Sequence, residues 1–320
     1  MRTPKFWNNK GIISTFFLPL GFIYSSITSL RMKYIRGNKV NVPVICIGNL
    51  TAGGTGKTPV AISVAEILQE SRLNPFFVSR GYGGKLKSIP VDNKIHIAED
   101  VGDEPLLLSK QARVIIDSDR YKAAKIAADI GANIIIMDDG FQNPYLRKNL
   151  SFVVVDGGFG FGNERPIPAG PMRENLDNGL KRADAVIIIG KDTKHIAKRV
   201  GNIPVFKGTM KPALKTLKGK KVIAFAGIGR PQKFYDTLQS LEAKLVETID
   251  FPDHHNYTKE ELEKIIHKSQ GLNAKAYTTS KDFVKIPLEL RENFNVLEIE
   301  IDWENKEEFK SFILNHIKIA

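Results

Sequence analysis

Thr51-Ala52-Gly53-Gly54-Thr55-Gly56-Lys57-Thr58 is a glycine-rich stretch that closes on Gly-Lys-Thr. Glycines let a backbone curl until its N–H groups point inward at phosphate oxygens, and a helix starting behind the loop adds its positive dipole end. The spacing assigns Lys57 to the β- and γ-phosphates of a nucleoside triphosphate and the Thr58 hydroxyl to Mg²⁺. Thr51 stands where the strict pattern has glycine, and Pro59 suits a first helical turn, where its missing N–H costs nothing. The loop alone names no substrate. Ala52 occupies the position where partition-type ATPases carry a second lysine, and Ser280-Lys281-Asp282 is an incomplete guanine-specificity motif. A small-molecule kinase is therefore the leading class.

Other chemical groups fall at predicted strand ends. Asp138-Asp139-Gly140-Phe141-Gln142 follows an apolar run, and acids there face the crevice where α/β proteins bind ligands. One of the two aspartates would hold Mg²⁺. Arg80 and Tyr82 follow a second such run. Gly102-Asp103-Glu104-Pro105 precedes an apolar helix, so Asp103 reads equally well as a helix cap. A long Gly/Pro loop, residues 157–174, contains Arg165 and Arg173, which suit charge-assisted bonds to phosphate. Asp253-His254-His255 reads alone as a turn or as a catalytic group.

Strand-helix alternation must position these groups. Val42–Gly48, Pro75–Ser79, Arg113–Asp117, Asn133–Asp138, Phe152–Asp156 and Ala185–Gly190 are near-continuous apolar runs, the pattern of a parallel sheet covered on both faces. Pro59–Glu70 and Arg120–Ile130 read as helices between them. After a Lys-rich connection, Lys211 to Lys221, a second set of strands follows: Val222–Gly227, Lys244–Ile249, Lys275–Thr279 and Val296–Ile301. The helices Gln232–Leu241, Lys259–Ser269 and Glu307–Ile317 surround them. The expected architecture is an α/β chain with a P-loop parallel-sheet domain over residues 37–212 and a smaller α/β domain over 213–320.

Residues 1–36 form the remaining part. The first 39 residues hold seven basic side chains, Arg2 among them, and no acid, out of a net charge of +12 for 320 residues. That concentration points to a local anionic partner, not to nucleic acid. Between Lys10 and Arg31 no residue is charged. Ile12, Ile13, Phe16, Phe17, Leu20, Ile23, Tyr24 and Ile27 fall within roughly 140° of a helical wheel, with most hydroxyls opposite. Such a face flanked by Lys and Arg suits a helix lying in a bilayer interface, and too many hydroxyls interrupt it for a span. A helix packed on the protein's own core is the plain alternative. Hydrophobic content of 42% and charged content of 26% exclude a disordered or fibrous chain. The single Cys46 excludes an internal disulfide, and no His/Cys cluster has zinc spacing.

Taken together, these motifs resemble the tetraacyldisaccharide 4′-kinase family, the lipid A 4′-kinases of Gram-negative bacteria. The likeness runs from the amphipathic start through Gly48–Pro59, Ser79-Arg80-Gly81-Tyr82, Gly102-Asp103-Glu104-Pro105 and Asp119-Arg120. It continues through Asp138–Gln142, Pro168–Glu174 and Asp253-His254 to Lys281-Asp282; Thr51 is typical of the family. The resemblance implies transfer of the ATP γ-phosphate to the 4′-hydroxyl of a tetraacyl disaccharide 1-phosphate, at the cytoplasmic face of the inner membrane, by a monomer. It implies Asp103 as base with His254 its partner, Lys57 and Arg173 also catalytic, and residues 51–58 around ATP. It assigns Arg80, Tyr82, Arg120 and Glu174 to the substrate, and Thr58, Asp138, Asp139 and Gln142 to Mg²⁺. Two alternatives stay open on the residues alone: a kinase or ligase for a soluble metabolite, and a nucleotide-dependent membrane-recruitment switch.

Overall fold

The computed structural model describes residues 4–317; Arg2 and the other residues at 1–3 and 318–320 lie outside them. Nine strands form one sheet: β1 (Val44–Gly48), β2 (Pro75–Ser79), β3 (Ile89–Pro90), β4 (Val114–Ile116), β5 (Ile134–Asp138), β6 (Leu150–Asp156), β7 (Ala185–Ile189), β8 (Val205–Pro212) and, late in the chain, β13 (Ile299–Trp303). Their order is β13-β8-β7-β6-β1-β5-β2-β4-β3, parallel except at the two edges, where β13 and β3 run antiparallel to their neighbours. Side chains alternate across the sheet. Ile45, Ile47, Phe77 and Ile136 pack under the helices Lys57–Glu70 and Lys306–His316. Cys46, Phe76, Val78 and Ile135 pack under Arg120–Asp129 and Leu176–Leu180. Burial on both faces is what the continuous apolar runs require. The chain passes from β5 to β6 across β1, so the strand order reverses there and opens the crevice at the carboxyl ends of β1, β5 and β6.

The second sheet holds β9 (Lys221–Ala226), β10 (Lys244–Asp250), β11 (Lys275–Thr279) and β12 (Phe294–Leu297) in the parallel order β10-β9-β11-β12. The helix Pro231–Ser240 covers one face and Lys259–Gly271 the other. The run read as one strand, Val296–Ile301, is two: β12 ends at Leu297 in the small sheet and β13 starts at Ile299 in the large one. The segment 299–316 thus returns to the first sheet, so the division at 212/213 is crossed a second time. Trp303 anchors the return, its indole N–H donating to Ser63 Oγ at 2.9 Å, while Phe309 is fully buried.

The amino-terminal segment is helical in two pieces, Ile12–Phe16 and Leu18–Tyr34. Its small and polar residues face the protein. Ser14 is fully buried, its hydroxyl donating to the Ala169 carbonyl and accepting from Asn163, and a Cβ on Gly21 would lie 2.9 Å from the Pro166 carbonyl oxygen. Ile12, Ile13, Phe16, Leu20, Phe22, Ile23, Ile27 and Leu30 are all more than half exposed. The apolar row looks away from the fold.

Candidate active site

Residues 49–56 curl between β1 and the helix Lys57–Glu70, with Gly53 and Gly56 at positive φ (113° and 89°). The Asn49 amide donates to Thr55 Oγ1 at 3.2 Å and holds the curl from inside. A second loop braces it from outside: Ala52 N–H donates to the Pro171 carbonyl (2.7 Å) and Arg173 N–H to the Leu50 carbonyl (2.8 Å). The cradle therefore presents the Arg173 side chain beside the Lys57 ammonium.

Asp138 and Asp139 end β5 and divide the work. Asp139, at φ 50°, accepts from both Arg173 guanidinium nitrogens (2.7 and 3.3 Å), with the Lys57 ammonium at 3.7 Å. Burial pushes its carboxyl up, but Lys57 and Arg173 outweigh that and hold it below the ordinary carboxylate range. Asp138 accepts from the Thr58 hydroxyl at 3.2 Å through Oδ2, while Oδ1 is buried without a hydrogen-bond partner. Burial lifts this carboxyl to about 7, with Glu104 and Asp139 adding and Lys57 opposing. A buried carboxylate oxygen without a donor, beside a threonine hydroxyl, is a donor set that fits a hard dication.

Across the crevice stands a pair drawn from both sheets. His254 Nδ1 lies 3.0 Å from Asp103 Oδ2, although 151 residues separate them. Asp103 begins the helix Asp103–Leu108 behind Gly102 (φ 91°), whose backbone leaves no room for a Cβ against the Tyr82 carbonyl at 2.5 Å. Asp103 Oδ1 also accepts from Glu104 N–H (2.9 Å), so the turn fixes the carboxylate as well as the helix start. His254 sits in the loop after β10 with φ 61°, its N–H donating to the Gly227 carbonyl. Burial pushes Asp103 up, but the His254 hydrogen bond and the Lys281 charge outweigh it and hold the carboxyl below its usual range. The Asp103 hydrogen bond raises His254 above the ordinary imidazole range, against burial and Lys281. His255 points elsewhere, to Glu261 at 2.9 Å.

Several expected residues are placed differently. Glu174 is fully buried and pairs with Arg182 at 2.7 and 2.8 Å, so it cannot reach a substrate. Gln142 donates to Glu174 Oε1 (3.0 Å) and the Asn49 carbonyl (2.9 Å), bracing the cradle on the Arg173 side instead of joining Thr58 and Asp138. Arg165 reaches away from the crevice to Ser14 and Thr15 of the amino-terminal helix. Arg120 is buried, donating to the Asp117 carbonyl at 2.8 Å, with its Nε unpaired. Burial and the Arg80 charge lower its pKa to about 10. Tyr82 is 70% exposed, its ring edge-on to His254 at 6.4 Å. An open cleft of about 280 Å³ joins Arg173 and Gln142 to Tyr24, Thr28 and Arg31 of the amino-terminal helix. Asn49 carried too little signal in the sequence to be chosen, because its task is to staple a loop.

A family model described as tetraacyldisaccharide-1-P 4′-kinase matches residues 13–318. A tetraacyldisaccharide 4′-kinase of Rhodospirillum rubrum is 43% identical over 321 residues, 98% of this chain and 97% of that protein. One from Parvibaculum lavamentivorans is 44% identical over 297 residues, 89% and 87% of the two chains. The crystal structure of the "apo" form of LpxK from Aquifex aeolicus in complex with ATP superposes with a TM-score of 0.78 at 28% identity, covering 96% of this chain and all of that one.

Proposed function

Because the chain belongs to the tetraacyldisaccharide-1-P 4′-kinase family, we propose that its crevice transfers the γ-phosphate of ATP to the 4′-hydroxyl of a tetraacyl disaccharide 1-phosphate. The observation that supports the residue roles is the Asp103–His254 contact, which joins a carboxylate of the first domain to an imidazole of the second. Residues 51–58 wrap the triphosphate, and Lys57 with Arg173 takes up charge on the transferring phosphoryl group. Both cations rest on Asp139, which keeps them aimed into the crevice. Asp138 and the Thr58 hydroxyl would hold Mg²⁺, which when bound would supply charge neutralisation for the triphosphate.

The acceptor hydroxyl gives its proton to Asp103 as its oxygen bonds the γ-phosphorus. The bond from that phosphorus to the β-phosphate oxygen breaks, and its electron pair leaves with ADP. A carboxyl held below the ordinary aspartate range is a weak base at neutral pH, so its position within reach of the hydroxyl must do the work. His254 orients that carboxylate from the second domain, while Arg80 and Tyr82 line the acceptor side.

We place the chain on a lipid surface, the cytoplasmic face of the inner membrane, with its exposed amino-terminal row against the acyl chains that carry the acceptor. No helix among the described residues is long and apolar enough to cross a membrane. The cleft between that helix and Arg173 gives the acceptor sugar a route from lipid to phosphate. One chain supplies both halves of the Asp103–His254 pair, so a monomer suffices. The test is transfer from labelled ATP to the lipid disaccharide in detergent micelles, with Lys57→Ala alongside. We expect labelled product from the wild type and a folded Lys57→Ala protein slowed by at least about 10²-fold. Near-normal kcat in that variant would sink the assignment.

A further inference from the structure

One cation of the second domain has no task in this scheme. Lys281 lies in the short helix Ser280–Phe283, at the carboxyl end of β11 and on the same side of the small sheet as His254. Its Nζ stands 3.1 Å from His254 Nε2, 3.8 Å from Asp103 Oδ2 and 3.9 Å from Asp253 Oδ1. The next residue fixes it there. Asp282 is fully buried, accepts from Gly227 N–H (3.0 Å) and from the Thr279 hydroxyl (2.7 Å), and forms an ion pair with the Lys285 ammonium at 2.7 Å. Gly227 in turn accepts the His254 N–H through its carbonyl, so ammonium and imidazole hang from one rigid corner.

An ammonium has three donors and no acceptor, so a nitrogen hydrogen-bonded to it must be the acceptor. With Nε2 accepting from Lys281, the ring proton of a neutral His254 is on Nδ1, where it is donated to Asp103 Oδ2. We propose that Lys281 is a positioning residue for phosphoryl transfer, holding His254 in the Nδ1-protonated neutral form that orients the Asp103 carboxylate. The proposal rests on the reading of Asp103 as base. Its logic is electrostatic. His254 faces Asp103 and the Tyr82 ring from the large domain, Lys281 from the short helix after β11, and Asp253 from its own loop, while Lys285 acts on Asp103. The carboxylates favour an imidazolium and Lys281 opposes it, since a protonated Nε2 would point its hydrogen at an ammonium. A carboxylate bonded to a neutral imidazole is also a better proton acceptor than one paired with an imidazolium.

The experiment follows the ring nitrogens of His254 by NMR in the full chain labelled with ¹⁵N-histidine, in detergent, using His254→Gln to identify the signals. The wild type should show, at alkaline pH, a proton on Nδ1 and none on Nε2. In Lys281→Met the two tautomers should mix, and the midpoint of the His254 titration should rise by about one pH unit. The kcat should fall about tenfold, less than the loss expected for the group that takes the proton. Its acid limb should move up with the midpoint, and the KM for ATP should barely change. Lys281→Arg, which keeps a donor-only cation, should restore most of the tautomer. A wild-type His254 protonated at Nε2 overturns the proposal without any variant having to fold. So do unchanged His254 signals in Lys281→Met, or a shifted tautomer with an unmoved kcat and pH profile. Full activity in Asp103→Ala would instead sink the base assignment, whatever the tautomer.

Discussion

If Asp103 is the base we propose, Asp103 and His254 are one device made of two residues, because the imidazole stands 3.0 Å from that carboxylate. Groups acting as a unit lose activity non-additively, so once one is gone the other has little left to contribute. Asp103→Ala and His254→Ala should each lower kcat by about 10² or more, and the double variant should be scarcely slower than the worse single. His255→Ala should stay active, since His255 faces Glu261 instead. Steady-state kinetics on the four variants decides it: strictly multiplicative losses would leave Asp103 as no more than part of a helix start. At this scale the legible residues were those whose partners are local. Lys57 and Thr58 follow from loop spacing, and Asp138 from the strand it ends. Glu174 and Arg165 were misplaced because a half-buried arginine in one case and a helix 150 residues away in the other claimed them. Side-chain type and spacing do not encode such choices.

Among the elements, the parallel strands were legible because burial on both faces makes them continuous apolar runs. β8 was not, and β13 only in part. Toward that end of the sheet, Val-Phe-Lys-Gly-Thr-Met-Lys-Pro and Ile-Glu-Ile-Asp-Trp carry lysines and acids that break the continuous apolar pattern, so the end of β8 read as the start of a Lys-rich connection and Ile299–Ile301 as the tail of a strand begun at Val296. The return of the chain at Ile299 is likewise invisible, since a single residue, Glu298, separates strands of two sheets. Its energetic anchor is Trp303, buried against the helix that begins with Lys57 and bonded to Ser63. Trp303→Phe should cost about 1 kcal/mol through the lost hydrogen bond. Trp303→Ala should cost about 3–5 kcal/mol, as buried aromatic truncations do. Urea unfolding followed by a probe in the large sheet checks this. A loss confined to the small domain would mean that β13 does not brace the phosphate-loop helix.

The whole molecule sets the carboxyl ends of two parallel sheets against each other. Asp103–His254 closes one side of the contact, and Asp156 at the end of β6 closes the other, with Lys233 at 2.8 Å and Arg230 at 3.5 Å. No local pattern foretells two loops meeting across 151 residues, so this part of the site came from the resemblance and not from periodicity. The apolar row of the amino-terminal helix was legible, yet its direction was not, because the wheel is the same whether apolar residues face in or out. Ser14 and Gly21 decide it by seating the small face on the 163–169 loop. That orientation changes how the acceptor must be counted. A protein resting on lipid meets its acceptor in two dimensions, so the rate should follow the mole fraction of acceptor in the surface, not moles per litre. Adding inert detergent at constant total acceptor should therefore slow the wild type by dilution within the surface, with the KM for ATP unchanged. Replacing Phe16, Leu20 and Ile23 with serine should weaken this dependence, because such a chain would have to find its acceptor from solution. A wild-type rate indifferent to added detergent would detach the helix from catalysis, and its outward apolar row would need another occupant.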